Sequence, residues 1–286
     1  MDLLKEIKSR YSSFSKGQKK IADYILTNYD KAAYLTAQKL GAAVGISEST
    51  VVRFASELGF EGYSEFIDHL QISVRNKLTA LQRMEVAFDR LGENDILTNV
   101  LKADAENIRR SIEEINKKSF DACVNEILSA RKIYIIGLRS SSVLANFLGL
   151  YLNMMFDNVI TISTNSISEI FESMINVNSE DVVIAISYPR YSKRTVTTAQ
   201  YAAKRGCRVI AITDCDHSPI IEYATHSLFA RSDMAYFVDS LTAPFSLINA
   251  LIVALGLSKK DALYQNFERL ESLWEEYQVY EKYEEK

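Results

Sequence analysis

The sequence predicts an all-α helix-turn-helix domain followed by an α/β domain with a central, doubly wound parallel sheet. Three observations carry this. Residues 1–77 show only helical periodicity. Four short, β-branched runs at 132–137, 158–162, 181–186 and 208–213 then alternate with helical stretches, as in βαβ units. The 286 residues suit two domains better than one, at roughly 100–200 residues per domain.

Composition narrows the class. Hydrophobic residues make up 48% and charged residues 24%, close to soluble globular chains, so at least one sizeable core can form. Only 3 prolines and 10 glycines exclude collagen and argue against long disordered tracts. The longest apolar stretch, 245–257, is broken by Ser246 and Asn249 and is too short to span a bilayer. The opening Met-Asp-Leu-Leu-Lys-Glu carries no signal peptide. Cys123, Cys207 and Cys215 are odd in number and form no CxxC, which points to a reducing cytoplasm without a thiolate zinc site. The expectation is a cytoplasmic protein with no cofactor, no metal and no membrane contact. Net charge is −4, unevenly spread: residues 1–77 hold 11 Lys/Arg against 9 Asp/Glu, and residues 78–286 hold 22 against 28. A weakly positive front segment permits nucleic-acid binding without demonstrating it.

In residues 1–77, Ser15-Lys-Gly-Gln18 reads as a capping box opening a helix to about Tyr29, with Ile21, Ile25 and Leu26 on its apolar stripe. Thr36 is the expected N-cap for Ala37–Val44. Gly45-Ile46 makes a tight turn, Ser47 caps a helix over 48–58, and Gly59 closes it. A further helix begins near Tyr63 with Phe66, Ile67 and Leu70. Across 37–56, Leu40, Val44, Ile46, Val51 and Phe54 fall where two steeply crossing helices share a small core, and Gly41 is small where they touch. That is a helix-turn-helix, or else an ordinary helical hairpin. In the first reading Ser47, Glu48, Ser49, Thr50, Val52 and Arg53 face outward towards base edges and phosphates, and Lys16, Lys19, Lys20 and Lys39 are phosphate contacts.

Residues 78–117 read as a helical linker. Leu78, Leu81, Met84, Phe88 and Leu91 recur at helical spacing, Gly92-Glu-Asn-Asp95 breaks the pattern, and Leu97, Leu101, Ala105, Ile108, Ile112 and Ile115 line a second helix. Such a linker either transmits a rigid-body movement or packs on the next domain.

Helices are expected over 142–155, 166–175 and 193–205, and Ser227-Leu-Phe-Ala230 offers a fifth strand. Parallel sheets bind ligands at the carboxyl ends of their strands. Two of those ends are rich in hydroxyls and positive charge. Gly137-Leu-Arg-Ser-Ser-Ser142 places hydroxyls and free amides at a helix start, which favours an anion, or serves only as a serine N-cap. It matches neither GxxxxGK[ST] nor GxGxxG. Ser187-Tyr-Pro-Arg-Tyr-Ser-Lys-Arg-Thr195 offers three hydroxyls from Ser and Thr, two tyrosine rings and three cations, unless it is merely a solvated basic loop. Together the loops suit a small anionic polar ligand.

These motifs carry a resemblance. Residues 1–77 resemble the helix-turn-helix domain of the RpiR family of bacterial transcriptional regulators, most closely over 36–60. Residues of about 118–257 resemble the sugar isomerase (SIS) fold that the family carries behind it, most closely over 181–219. The resemblance implies a regulator of carbohydrate metabolism that binds double-stranded DNA and senses a phosphorylated sugar or related anion. It implies that the first serine loop, Ser140 and Ser141, holds the phosphate, with Ser141 as its central serine. The second loop usually reads S-x-S-G-x-T. Ser187 matches the first serine, Ser192 stands at the threonine, and Thr195 starts the helix. Pro189 and Arg190 replace a serine and a glycine, so one hydroxyl is lost and a guanidinium suited to phosphate or carboxylate is gained.

The alternative is a sugar-phosphate isomerase of the same fold. That chemistry needs a general base near the C1–C2 protons, and in related isomerases a Glu and a His serve. The chain has 3 histidines, His69, His217 and His226, and no Glu/His pair stands out. Asp214, Asp216 and His217 read as a surface turn rather than a metal site. No catalytic residue is therefore expected. The apolar stretch 239–257 reads as core or subunit interface. Residues 258–286 form an acidic amphipathic helix whose Leu263, Phe267, Leu270, Leu273, Trp274 and Tyr277 should pack on the body or on another subunit. Specific DNA binding needs roughly 4–10 kcal/mol over non-specific binding, and each base contact supplies about 1–3 kcal/mol. One short recognition helix falls short, so a homodimer or higher homo-oligomer on an inverted repeat is expected, with an effector coupling of about 1–3 kcal/mol.

Overall fold

The computed structural model describes residues 3–75, 77–91, 95–234 and 238–281. The chain forms two compact units, residues 1–103 with 234–239, and residues 104–233 with 240–286.

The first unit is helical: α1 (Leu3–Arg10), α2 (Lys16–Thr27), α3 (Tyr29–Ala32), α4 (Ala37–Val44), α5 (Glu48–Glu57), α6 (Tyr63–Arg75) and α7 (Ala80–Leu91). The capping box forms in both directions. The Ser15 amide donates to Gln18 Oε1 at 2.8 Å, and the Gln18 amide donates to Ser15 Oγ at 3.4 Å. Helix α2 stops at Thr27, earlier than its stripe suggested, and Tyr29 opens the single turn of α3. Thr36 Oγ1 accepts the Lys39 amide at 3.2 Å. Gly45 and Gly59 take φ of +68° and +96°, conformations open to glycine without strain. Phe54 of α5 is fully buried and meets Phe14 and Phe66 edge-on, at centroid distances of 5.1 and 5.9 Å. Each such burial stabilises by roughly 1.5–3 kcal/mol. On α7, Arg83 Nη1 pairs with Asp239 Oδ2 at 2.9 Å, with the two side chains 6% and 10% exposed.

Helix α8 (Ile96–Glu114) follows. The break expected at Gly92-Glu-Asn lies outside the described residues, as do the side chains of Phe88 and Leu91. Of the linker stripe, Leu78 is buried, whereas Leu81, Met84, Leu97, Leu101, Ile112 and Ile115 are exposed. A polar face of α8 docks instead. Asn107 is buried, Ser111 Oγ accepts the Arg231 amide at 2.8 Å, and Ser240 Oγ donates to Asp104 Oδ1 at 2.5 Å. From the stripe, Ile108 packs against the core of the sheet unit.

The second unit continues with α9 (Lys117–Ser129), β1 (Ile133–Gly137), α10 (Ser141–Leu152), β2 (Val159–Ile162), α11 (Ile167–Ser173), β3 (Val182–Ile186), α12 (Lys193–Lys204), β4 (Arg208–Thr213), β5 (His226–Phe229), α13 (Thr242–Ser258) and α14 (Lys260–Glu276). All five strands are parallel, in the order β2-β1-β3-β4-β5. Ile133, Ile135, Ile184 and Ile210 face a core shared with α9, α10 and α13. Tyr134, Ile136, Val183 and Val209 face the opposite core, which includes residues of α11 and α12. Burial on both faces is why β1, β3 and β4 read as unbroken apolar runs. Among the described residues no single helix is long and apolar enough to cross a membrane.

Candidate functional site

Two regions bring the expected functional residues together. The first is the start of α5. Glu48, Ser49, Val52 and Arg53 are exposed and Thr50 half-buried, while Val51, Phe54 and Ala55 point into the core. A Cβ on Gly17 would lie 3.7 Å from Ile46 Cδ1 and 3.8 Å from Thr50 Cγ2, so the start of α2 stands beside the start of α5. Two helix N-termini with exposed Lys16, Lys20 and Lys39 make a face suited to phosphate. Two details differ from expectation. Ser47 occupies the N-cap position, but its hydroxyl bonds Thr50 Oγ1 at 2.9 Å and Ser49 Oγ at 3.0 Å rather than a helix amide. Lys19 lies over the Tyr11 ring at 5.6 Å, a cation–π contact that holds it back on the body. Arg53 Nε reaches the Ser49 carbonyl at 3.3 Å, which leaves the guanidinium at the exposed end of the helix face.

The second region is the carboxyl edge of the sheet. In this strand order β1 is followed by α10 on one face and β3 by α12 on the other. The ends of β1 and β3 therefore flank a crevice where the winding reverses, the usual ligand position in such sheets. Gly137 pairs in register with Ile186, so the two serine loops leave from neighbouring strand ends. Gly137 must be glycine, because a Cβ would collide with the Ser141 carbonyl. The start of α10 thus folds tightly over the strand end. Ser141 is buried there and Ser140 is exposed. Ser140 sits at the N-cap position in a helical conformation with no capping hydrogen bond, and Ser142 Oγ instead donates to the Arg139 carbonyl at 2.6 Å.

In the second loop Ser187 and Thr195 are buried, and neither Ser187 Oγ nor Thr195 Oγ1 has a hydrogen-bond partner within the protein. Leaving a buried hydroxyl unpaired costs about 1–3 kcal/mol, so such groups await something polar. Ser192 is half-buried at the N-cap position of α12, and Arg190 is exposed. A neighbouring network at the end of β4 leaves no mark in the sequence. Tyr191 Oη donates to Asp214 Oδ1 at 2.9 Å, and Thr213 Oγ1 donates to the Ser187 carbonyl at 2.7 Å. Asp214 is buried, so the crevice has an acceptor beside its hydroxyls. Burial pushes the half-buried Cys215 thiol up to about 11, reinforced by Asp214.

The structure also contains a Glu–His pair that the sequence reading did not find. His226 Nε2 lies 3.8 Å from Glu126 Oε1, and Arg208 Nη1 reaches Glu126 Oε2 at 2.5 Å. His226 and Arg208 begin their strands, so this pair sits at the amino edge of the sheet, away from the crevice. His217 pairs with Asp216 in an exposed turn. No cluster of metal-ligating side chains occurs among the described residues.

Comparison with known proteins agrees with both halves. Residues 1–77 match the helix-turn-helix domain of the rpiR family, and residues 126–254 match the SIS domain. An HTH-type transcriptional regulator of Haemophilus influenzae is 29% identical over 230 residues, covering 79% of each chain. The HTH-type transcriptional regulator HexR of Escherichia coli is 25% identical over 285 residues, covering 96% of this chain and 95% of its own. The NanR protein of Vibrio vulnificus, solved with ManNAc-6P, shares the fold at a TM-score of 0.58 and 24% identity, with coverage of 95% and 98%. The sugar isomerase domain of an RpiR transcription factor from Sphaerobacter thermophilus gives 0.59 at 23% identity, over 61% of this chain and 97% of its own. The chain belongs to the RpiR family of transcriptional regulators, with a helix-turn-helix domain in front and a SIS domain behind.

Proposed function

We propose that this regulator controls genes of carbohydrate metabolism, and that its SIS domain senses a phosphorylated sugar or a closely related anionic sugar derivative. Domain limits of 1–77, 78–117, 118–257 and 258–286 describe its parts. The observation that carries the reading is the pair of unpartnered buried hydroxyls, Ser187 Oγ and Thr195 Oγ1, at the crevice between β1 and β3. Ser140, Ser141 and Ser192 add hydroxyls and helix-start amides, Arg190 adds a charge at the rim, and Tyr191 with Asp214 supplies a donor–acceptor pair for sugar hydroxyls. NanR, a structural neighbour, was solved with a sugar phosphate, which supports this ligand class. On DNA, Glu48, Ser49, Thr50 and Arg53 read bases, while Ser47, Lys39, Lys16 and Lys20 hold phosphates. Two copies place two such helices on an inverted repeat.

Catalysis is not part of this reading. The Glu126–His226 pair lies at the amino edge of the sheet, away from the ends of β1 and β3. The test is a thermal-shift screen of phosphorylated sugars and sugar acids together with footprinting upstream of the protein's own and adjacent genes. A stabilising sugar phosphate that changes a salt-sensitive footprint is expected. No protected site, or turnover of the sugar in an isomerase assay, would overturn the reading.

A further inference from the structure

Glu48, Ser49, Val52, Arg53 and Ser56 form one exposed stripe along α5. At 3.6 residues per turn they cover about 140° of the helix surface. Val51, Phe54 and Ala55 are fully buried on the opposite side, so packing fixes which face the helix presents. The stripe is chemically mixed. A carboxylate stands on one margin in the first turn, a guanidinium stands on the other, and Val52, 37% exposed, lies between them. Phosphate binding explains the exposed Lys16, Lys20 and Lys39 nearby, but not Glu48. A carboxylate on such a face opposes the DNA backbone, which carries one negative charge per about 1.7 Å. With the described residues Glu48 makes neither an ion pair nor a side-chain hydrogen bond, so no partner in the front unit accounts for it.

We propose that Glu48 sets sequence specificity: it accepts a cytosine at the base pair it faces and rejects the other three bases. The inference rests on the reading of α5 as the helix that enters the major groove. The first residues of such a helix are the ones that reach base edges, and Glu48 is the first residue of α5. An ionised carboxylate only accepts hydrogen bonds. Guanine presents two acceptors in the major groove, N7 and O6, and thymine presents O4 beside a methyl group, so both repel it. Adenine offers its N6 amino group, but the N7 acceptor lies next to it. Cytosine offers its N4 amino group with no acceptor of its own. The rest of the stripe complements this choice. Arg53 suits guanine O6 and N7, and Val52 suits a thymine methyl. Glu48 therefore lowers binding to arbitrary DNA and widens the ratio between the right site and the rest. That ratio sets occupancy where competing sites are many.

The experiment is in vitro selection of duplex DNA by the full chain. The pool is randomised over roughly 30 base pairs, long enough for two half-sites one or two helical turns apart. Selection is repeated with Glu48→Gln and Glu48→Ala, whose folding is checked by circular dichroism and thermal melting. The wild type should select a cytosine at one fixed position of each half-site. Glutamine pairs with adenine N6 and N7, so Glu48→Gln should move the preference at that position alone to adenine. Glu48→Ala should leave that position without a preference. Fluorescence anisotropy then reads the affinities. Replacing the cytosine should weaken wild-type binding about 5-fold or more, and binding by the alanine variant less than about 2-fold. Both variants should hold an arbitrary duplex of the same length more tightly than the wild type does, because a charge opposing the phosphates is gone. One selected sequence common to the wild type and both variants overturns the proposal and leaves α5 as a DNA-reading helix. A uniform loss across all sequences, with a lower melting temperature, also overturns it and assigns Glu48 to the α5 dipole. A wild type that selects no sequence overturns the DNA reading of α5 itself.

Discussion

The Gly41 carbonyl accepts the Ile46 amide at 2.9 Å, and a Cβ on Gly41 would stand 2.6 Å from the Ile46 carbonyl oxygen. Backbone lies on both sides of that gap, so neither wall can yield cheaply. Gly41→Ala should destabilise the front unit by about 1–3 kcal/mol, the usual cost of overpacking, measured by urea denaturation. A neutral substitution would mean that the turn relaxes.

Arg53 is exposed and touches its own helix through the Ser49 carbonyl. Arg53→Ala should leave the melting temperature within about a degree or two, consistent with a surface change. It should weaken operator binding by about 1–3 kcal/mol while non-specific binding falls less. Equal losses for both would remove it from base reading.

Ser187→Ala and Thr195→Val each remove a buried oxygen that lacks a partner in the protein. The ligand-free protein should be unchanged or up to about 1 kcal/mol more stable. The thermal shift produced by a sugar phosphate should shrink or vanish. Loss of stability with an intact shift would assign these hydroxyls to the fold alone.

In the Arg83–Asp239 pair Arg83 is buried and Asp239 largely covered. Breaking it with Arg83→Met should cost about 3–5 kcal/mol, because a largely covered carboxylate loses the Arg83 guanidinium. Adding Asp239→Leu should recover most of that loss in a double-mutant cycle. A double variant as unstable as the single one would show that shape, not charge, matters there.

Burial and Asp214 push the Cys215 thiol up to about 11. At pH 8 about one thiol in a thousand is then ionised. Alkylation by iodoacetamide should be far slower than for free cysteine and should accelerate as pH rises towards that value. A bound anion close to Cys215 should slow it further.

The inner strands β1, β3 and β4 were legible to within about a residue because each is buried on both faces, so hydrophobicity alone marks it. Helix α8 was legible as a helix but not in its orientation. Periodicity reports where apolar residues lie, whereas Ser111 and Asp104 decide the docked face, on which Asn107 is buried, through hydrogen bonds to residues more than a hundred positions away. The serine loops could be located from strand–helix junctions. The Tyr191–Asp214 contact could not, because it joins the ends of β3 and β4 and depends on strand order. The same holds for Glu126 and His226, which meet because α9 lies against β5.

Helix α10 begins with buried Ser141 at the crevice and runs 12 residues, about 18 Å, as one rigid rod. Gly149 seats it on β2 with no room for a methyl group against Thr161. A rod so clamped has little freedom to bend, so a push on its first turn must travel as a tilt or slide of the whole. Its outward side chains, Val143 and Leu150, would register that tilt at the subunit's surface, a lever whose short end is a single serine.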